Sequence, residues 1–370
     1  MMASPRQSAL ADRHRALGSD LGDWNGMDVP WSYKQDPNLE HQAVRNAAGL
    51  FDVSGLKKVH ITGPDALAVA NHVCTRDMTK IPPGRSAYAV ILNEEGRITD
   101  DCIMFHIAPN DLMMVHGGGT GMARLEESAK GKDVVLKFDD DLHDISLQGP
   151  KAVGFLDQHS PADMRSLRYF NQVSTTLFDR PCMISRTGYS GERGYEIFAG
   201  AEHIGPIWDA ILEQGKSEGI IPCSFNCIDM IRVEAALLFY PYDMTEENSP
   251  WEVGLGFAVA KKKQADFRGK KAVMDLIGKD KINTFGIVVE GDEAVPADAE
   301  VLHGNEVVGK VTAPLYSTVM KQSMAMVQLR PDLAREGVEL SVRGADKTYT
   351  AKTHTLPFYD PTKAKRTAVG

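Results

Sequence analysis

Two adjacent carboxylates, Asp100 and Asp101, sit at the head of an apolar run that continues through Ile103-Met104-Phe105. Strands are depleted in aspartate, and a buried carboxylate needs a hydrogen-bonding partner or must hold a proton. One of the two acids is therefore expected to face a polar cavity, unless both cap a turn in solvent, which the pattern allows equally well. A third acid, Glu196, lies in Gly194-Tyr195-Glu196-Ile197, where period two puts it on the face opposite Tyr195 and Ile197. Turned inward, Glu196 is a partly buried acid that needs a donor; turned outward, it is an ordinary strand glutamate. Arg232 stands in the apolar segment Asp229 to Leu238. Its guanidinium does not deprotonate, so burial requires a partner, for which Asp229 and Glu234 are the local candidates.

The elements that must position these groups follow from spacing and turn residues. Gly84 to His106 reads as a hairpin: Ala87, Ala89 and Ile91 alternate with Tyr88, Val90 and Leu92, and Asn93-Glu94-Glu95-Gly96 supplies the turn. Tyr88 stands on its first strand, and Asp100 and Asp101 open the second. Upstream, Leu39, Ala43, Val44 and Ala47 recur at helical spacing, with Gly49 at a C-cap position. Phe51-Asp52-Val53 begins a strand that continues through Lys58 to Thr62, after which Asp65 is placed to cap a helix. Asp111 to His116 is a further strand. The glycines Gly117 to Gly119 read as a strand-to-helix turn, because they complete no phosphate-binding pattern. After Phe257 the pattern shifts to short β segments at 285–289, 307–311 and 323–327, which suggests a small antiparallel barrel.

Composition excludes several classes of function. The net charge is -9, and the one conspicuous basic run, Lys261-Lys262-Lys263, reads as a solvated loop, so a nucleic-acid partner is not expected. No apolar stretch approaches the roughly 20 residues that span a bilayer, and Met1 to Arg15 has no apolar core of the signal-peptide type. No membrane partner and a cytoplasmic location are therefore expected. The five cysteines (74, 102, 182, 223 and 227) and eleven histidines show no ligand spacing, so neither disulfides nor a metal are expected. At 370 residues two or three domains are the natural expectation. Trp31, Tyr33, Tyr240 and Trp251 are aromatics in loop-like sequence that either pack between domains or line a pocket.

Several segments, taken in order, resemble the glycine-cleavage T-protein family of folate-dependent aminomethyltransferases, together with its demethylase and dehydrogenase relatives. They are Glu40-His41-Gln42-Ala43-Val44-Arg45 with Gly49 to Ser54, Leu92 to Asp101, Leu147-Gln148-Gly149-Pro150, Thr187 to Glu192 with Gly194 to Ile197, and Asp229 to Ala235. The resemblance implies an α+β cloverleaf of three domains around a tetrahydrofolate cavity, with mixed antiparallel sheets, helices and a C-terminal barrel. The implied domains are a discontinuous folate-binding domain at 1–55 and 140–270, a second domain at 56–139 and a barrel at 271–370. It also implies Asp100 as the catalytic aspartate, with Asp101 structural on the opposite strand face. Tyr88, His116, Tyr189, Glu196 and Arg232 become cofactor-binding residues. Trp31, Tyr33, Tyr240 and Trp251 become candidates for the substrate, a small methylated or aminomethylated donor. The implied reaction is transfer of a methyl group from a sulfonium or N-methyl compound such as dimethylsulfoniopropionate to tetrahydrofolate. The alternatives are aminomethyl transfer giving 5,10-methylenetetrahydrofolate, and folate binding without catalysis. Two departures weigh against a lipoyl carrier protein as partner. Asn226-Cys227-Ile228-Asp229 replaces the T-protein Gly-Ala-Arg-Asp, and His116 stands where asparagine is common.

Overall fold

The protein was analysed as a computed structural model that describes residues 6–368. The first five residues of the polar N-terminal stretch therefore lie outside the described residues. Of the four sheets among the described residues, a small three-stranded one lies near the N-terminus (Arg6–Gln7, Met27–Val29, Gly22–Trp24) and three larger ones organise the chain. A six-stranded sheet is built in the order Gln172–Leu177, Arg180–Ser185, Gly194–Gly200, Leu142–Gln148, Ala48–Asp52 and Ile220–Cys223. Its neighbours are antiparallel except for the last pair, which is parallel. A five-stranded antiparallel sheet runs in the order Arg85–Leu92, Ile98–Ala108, Asp111–His116, Lys57–Thr62 and Val135–Phe138. Six strands between Asn283 and His354 close into a barrel. The α+β reading and the C-terminal barrel hold.

The hairpin forms as its sequence dictates. Its turn places Gly96 at φ +75°, and a Cβ there would lie 2.5 Å from Val273 N, so both the backbone conformation and the packing demand glycine. The two faces of its sheet are both covered. Val59, Ala89, Cys102 and Met104 pack under the helices Ala66–Val73 and Gly121–Ala129. Phe105, Met113 and Val115 pack on Phe198 of the six-stranded sheet. Burial of each such aromatic or aliphatic side chain contributes about 1.5–3 kcal/mol.

Five local expectations are corrected. Phe51 to Thr62 is two strands in different sheets, because Ser54 N turns back to Asp52 Oδ1 (2.9 Å) and the chain crosses between lobes. Gly49 lies inside a strand rather than capping a helix; a Cβ there would fall 2.6 Å from Cys223 Sγ and from Val44 Cγ2. Asp65 does not cap its helix; its carboxylate accepts from Asp133 N at 2.9 Å. The helix read at 229–238 runs Phe225–Glu234 and stops where Ala236 adopts φ +52°. Lys263 is buried instead of solvated: its ammonium donates to the carbonyls of Asn71, Cys74 (2.9 Å) and Arg76 (2.7 Å). Burial lowers its pKa to about 8.

Candidate active site

Alternation along Ile98–Ala108 separates the two aspartates. Asp100 shares the helix-facing side with Cys102 and Met104, whereas Asp101 shares the other side with Ile103 and Phe105. The Phe105 and Phe198 rings meet edge to face, with centroids 5.4 Å apart. Phe198 stands on the same face of its strand as Glu196. Asp101 and Glu196 therefore stand on the two sheet faces that meet at Phe105 and Phe198, the sides of the interlobe space.

Asp101 is half-buried, and its Oδ2 accepts a hydrogen bond from Tyr88 Oη at 2.8 Å. Burial, reinforced by the neighbouring Asp100 charge, pushes its carboxyl up to about 7. The Tyr88 ring lies nearly parallel to Phe257, with centroids 6.1 Å apart, and Phe257 is 66% exposed at the rim. Tyr189 commits its hydroxyl to the carbonyls of Leu238 (2.5 Å) and Leu237 (3.2 Å), which leaves its ring as a wall. Tyr240 lies within electrostatic reach of Asp101.

Glu196 is buried on the facing sheet between Ser146 and Ser185, its cross-strand neighbours. The Thr187 hydroxyl donates to Glu196 Oε2; Oε1 has no hydrogen-bonding partner among the described residues. Burial pushes this acid up to about 7 against the Thr187 hydrogen bond. Asp144, on the same side of the adjacent strand, is buried with neither oxygen hydrogen-bonded among the described residues, and burial with the Glu196 charge raises it well above the carboxylate range. Nothing in the sequence pattern singled out Asp144.

Other anticipated residues take different places. Asp100 is fully buried behind Asp101, with His116 Nδ1 2.8 Å and Gly121 N 2.9 Å from its Oδ2. His116 accordingly lies on the helix-facing side and not in the interlobe space. Arg232 is buried between Asp229 (2.7 Å) and Asp243, so one expected partner is present and Glu234 is not the other. Asp243 also accepts from Phe239 N (2.9 Å), and Arg232 thus anchors the segment that carries Tyr240 and the carbonyls holding Tyr189. Tyr33 is buried against His14 (2.9 Å), away from this space. Trp251 donates to Val273 O at 2.6 Å, and Trp31 leans on Phe225 with centroids 5.4 Å apart. Thr187, Asp243 and Phe257 were not anticipated. Thr187 alone had a signal, its place in the glycine-rich run before Tyr189. Glu40, Cys223 and Cys227 bring ligand atoms within 4.8 Å of one another, but Glu40 is already engaged by Gln35 and Ser224.

The GCVT N-terminal domain family matches residues 10–263, and the glycine cleavage T-protein C-terminal barrel domain family matches 283–360. The heme-dependent oxidative N-demethylase gamma subunit of Ectopseudomonas mendocina (strain ymp) is 49% identical, with both chains covered completely. The aminomethyltransferase of Streptomyces coelicolor is 33% identical over 96% of this chain and 97% of its own. The crystal structure of the glycine cleavage system aminomethyltransferase T from Bartonella henselae superposes with a TM-score of 0.89 at 26% identity, over 97% of this chain and 99% of that one. Two domain families matched in order and relatives aligned over nearly their whole length show that the chain belongs to the glycine-cleavage T-protein family of one-carbon-group transferases.

Proposed function

We propose that this protein transfers a one-carbon unit, released from a small N-methyl amine, onto tetrahydrofolate bound between the two sheets. The observation that carries this reading is the pairing of walls: Asp101 with Tyr88 on one sheet faces Glu196 with Thr187 on the other. The donor set suits a pterin. Glu196 keeps Oε1 available for the N–H edge of a heterocycle, and the Tyr88 and Tyr189 rings bound a flat ligand. Tetrahydrofolate supplies the nucleophilic amine that receives the carbon. Asp101, more open than Asp100, accepts the proton which that amine gives up as its nitrogen bonds to the incoming carbon. Glu196 holds the ring, and the protein contributes mainly orientation and exclusion of water.

A relative named as the gamma subunit of an oxidative N-demethylase supports an N-methyl amine as the carbon source and partner subunits as the setting. Oxidative demethylation leaves carbon at the formaldehyde level, so the product expected is 5,10-methylenetetrahydrofolate rather than 5-methyltetrahydrofolate. The aminomethyltransferase relatives support a second reading, with an aminomethyl carrier as donor. The experiment incubates the protein and tetrahydrofolate separately with formaldehyde, dimethylsulfoniopropionate, dimethylglycine and aminomethylated lipoyl protein. The folate product is then identified. Acceleration with formaldehyde alone supports the leading reading, acceleration with the lipoyl protein supports the second, and absence of tetrahydrofolate binding by calorimetry defeats both.

A further inference from the structure

Asp100 is withdrawn from the ligand-facing wall, yet each of its oxygens has a defined partner. Oδ2 meets the Gly121 amide at 2.9 Å and His116 Nδ1 at 2.8 Å, and Oδ1 accepts from the Asp101 amide at 2.9 Å. The seat is shaped for a carboxylate. A Cβ on Gly119 would lie 2.6 Å from Asp100 Cγ, and one on Gly121 would lie 2.7 Å from Asp100 Oδ2 and from His116 Nδ1. Gly121 begins the helix Gly121–Ala129, whose Thr120 N-cap makes no side-chain hydrogen bond. Asp100 supplies that cap from another element, at the helix end that favours negative charge. A cap requires a single oxygen, whereas the second oxygen here is directed at the main chain of Asp101.

We propose that Asp100 is a positioning residue for Asp101: a fixed anion, seated on backbone amides and His116, that anchors the Asp101 main chain and keeps the Asp101 carboxyl a proton carrier. The proposal rests on the reading of Asp101 as the proton-handling group. The titratable groups that interact with Asp101 are Asp100 and Cys102, its neighbours along the strand, and Tyr88, Tyr189 and Tyr240, none of them a cation. Asp100 has a helix terminus and an imidazole N–H to stabilise its charge; Asp101 has a tyrosine hydroxyl and an anionic neighbour. Of the two acids, the proton belongs on Asp101. An imidazole donating through Nδ1 also leaves Nε2 as the acceptor, and that atom is buried without a partner among the described residues.

The test is a carboxyl-carbon NMR titration of the free full-length protein labelled at aspartate, with Asp101→Asn and Asp100→Asn supplying the assignments. In the wild type, Asp101 is expected to titrate near pH 7; an Asp101 carboxyl carbon that does not titrate there overturns the proposal without recourse to any folding-sensitive comparison. In Asp100→Asn, which keeps an oxygen for the Asp101 amide but loses the charge, the Asp101 midpoint is expected to fall by about one pH unit. The pH–rate profile should move with it, in the same direction. An unmoved midpoint sinks the idea. His116→Asn retains a neutral donor and should leave the midpoint in place; a shift as large as that of Asp100→Asn would assign the charge to His116 and overturn the role given to Asp100. Because the titration contains no folate, a protein that fails to bind tetrahydrofolate removes the functional reading while the titration still decides this one.

Discussion

A carboxyl that titrates near neutral pH is half ionised where enzymes work, which suits a group that takes up one proton per turnover. Asp101→Asn is accordingly expected to bind tetrahydrofolate within a few-fold of the wild type while losing turnover by about 10²–10⁴-fold, as read from single-turnover product formation and calorimetry. Acting as a base, Asp101 must be ionised, so turnover should rise from pH 6 to pH 8 around a midpoint near 7. Glu196→Gln should show the converse: tetrahydrofolate affinity falls by about tenfold or more as a charge-assisted acceptor becomes an amide, with a smaller change in the rate from the bound state. The sequence revealed that two adjacent acids diverge and that Glu196 opposes Tyr195. It did not reveal which aspartate lies on the helix-facing side and which on the side toward the other sheet, because period two separates neighbours without naming the side. Both sides of this strand are apolar, one under helices and one against the other sheet, so no hydrophilic face marks solvent. Arg232 shows the same boundary: Asp229, three residues away, could be read from helical spacing, whereas Asp243 arrives by way of a loop.

At the scale of elements, the glycine run after His116 acquires a reason beyond turn formation. The Asp100 carboxylate occupies the space where side chains at 119 and 121 would be. Gly121→Ala is expected to destabilise the protein by about 1–3 kcal/mol through overpacking at a buried polar seat, measured by urea unfolding. The same substitution at Gly131, where a Cβ meets nothing within 4 Å, should cost about 1 kcal/mol or less, its cost arising from φ +71° alone. The hairpin was legible because turn residues and alternation agree. The break between Asp52 and Lys57 was not, since a crossing between sheets leaves the apolar pattern of both strands intact.

Across the whole molecule, the lobes are joined by a buried ionic cluster. Arg45 pairs with Glu234 (2.6 Å) and Glu192 (3.1 Å) under the Tyr359 ring, and Ser317 of the barrel donates to Glu234. Arg45→Met removes one partner and leaves two buried acids, so a loss of about 3–5 kcal/mol is expected in denaturant unfolding. The pH dependence of stability has two opposing sources. Asp101 and Glu196 are raised in the folded state, so the fold binds their protons more tightly than the unfolded chain and gains stability as pH falls from about 7 toward the unfolded carboxylate range. Burial alone would raise Asp52 and Glu234 as well, but the hydrogen bond from His14 to Asp52, and the close approach of His41 and Arg45 to Glu234, hold both below their ordinary values. Their stabilisation is present above the unfolded carboxylate pKa and is lost on stronger acidification. The stabilisation from Asp101 and Glu196 should therefore be larger at pH 6 than at pH 8, and the Asp101→Asn, Glu196→Gln double variant should lose more melting temperature relative to the wild type at pH 6. An equal loss at the two pH values would mean that neither acid is protonated at pH 6.

The crossing at Asp52 to Lys57 has a further consequence, for the order in which the chain can assemble. Ala48–Asp52 pairs at the centre of the six-stranded sheet with Leu142–Gln148, and the whole five-stranded sheet lies between them in sequence. That intervening lobe brings its own ends together, with Asp139 N donating to Lys58 O at 2.8 Å and Val53 N to Asp144 O at 3.0 Å. Once folded it behaves as a short, stiff loop, which removes most of the closure entropy that a disordered segment of that length would oppose to the central pairing. An inserted lobe with its ends already joined thus lowers the entropic cost of the central pairing in the sheet that carries Glu196.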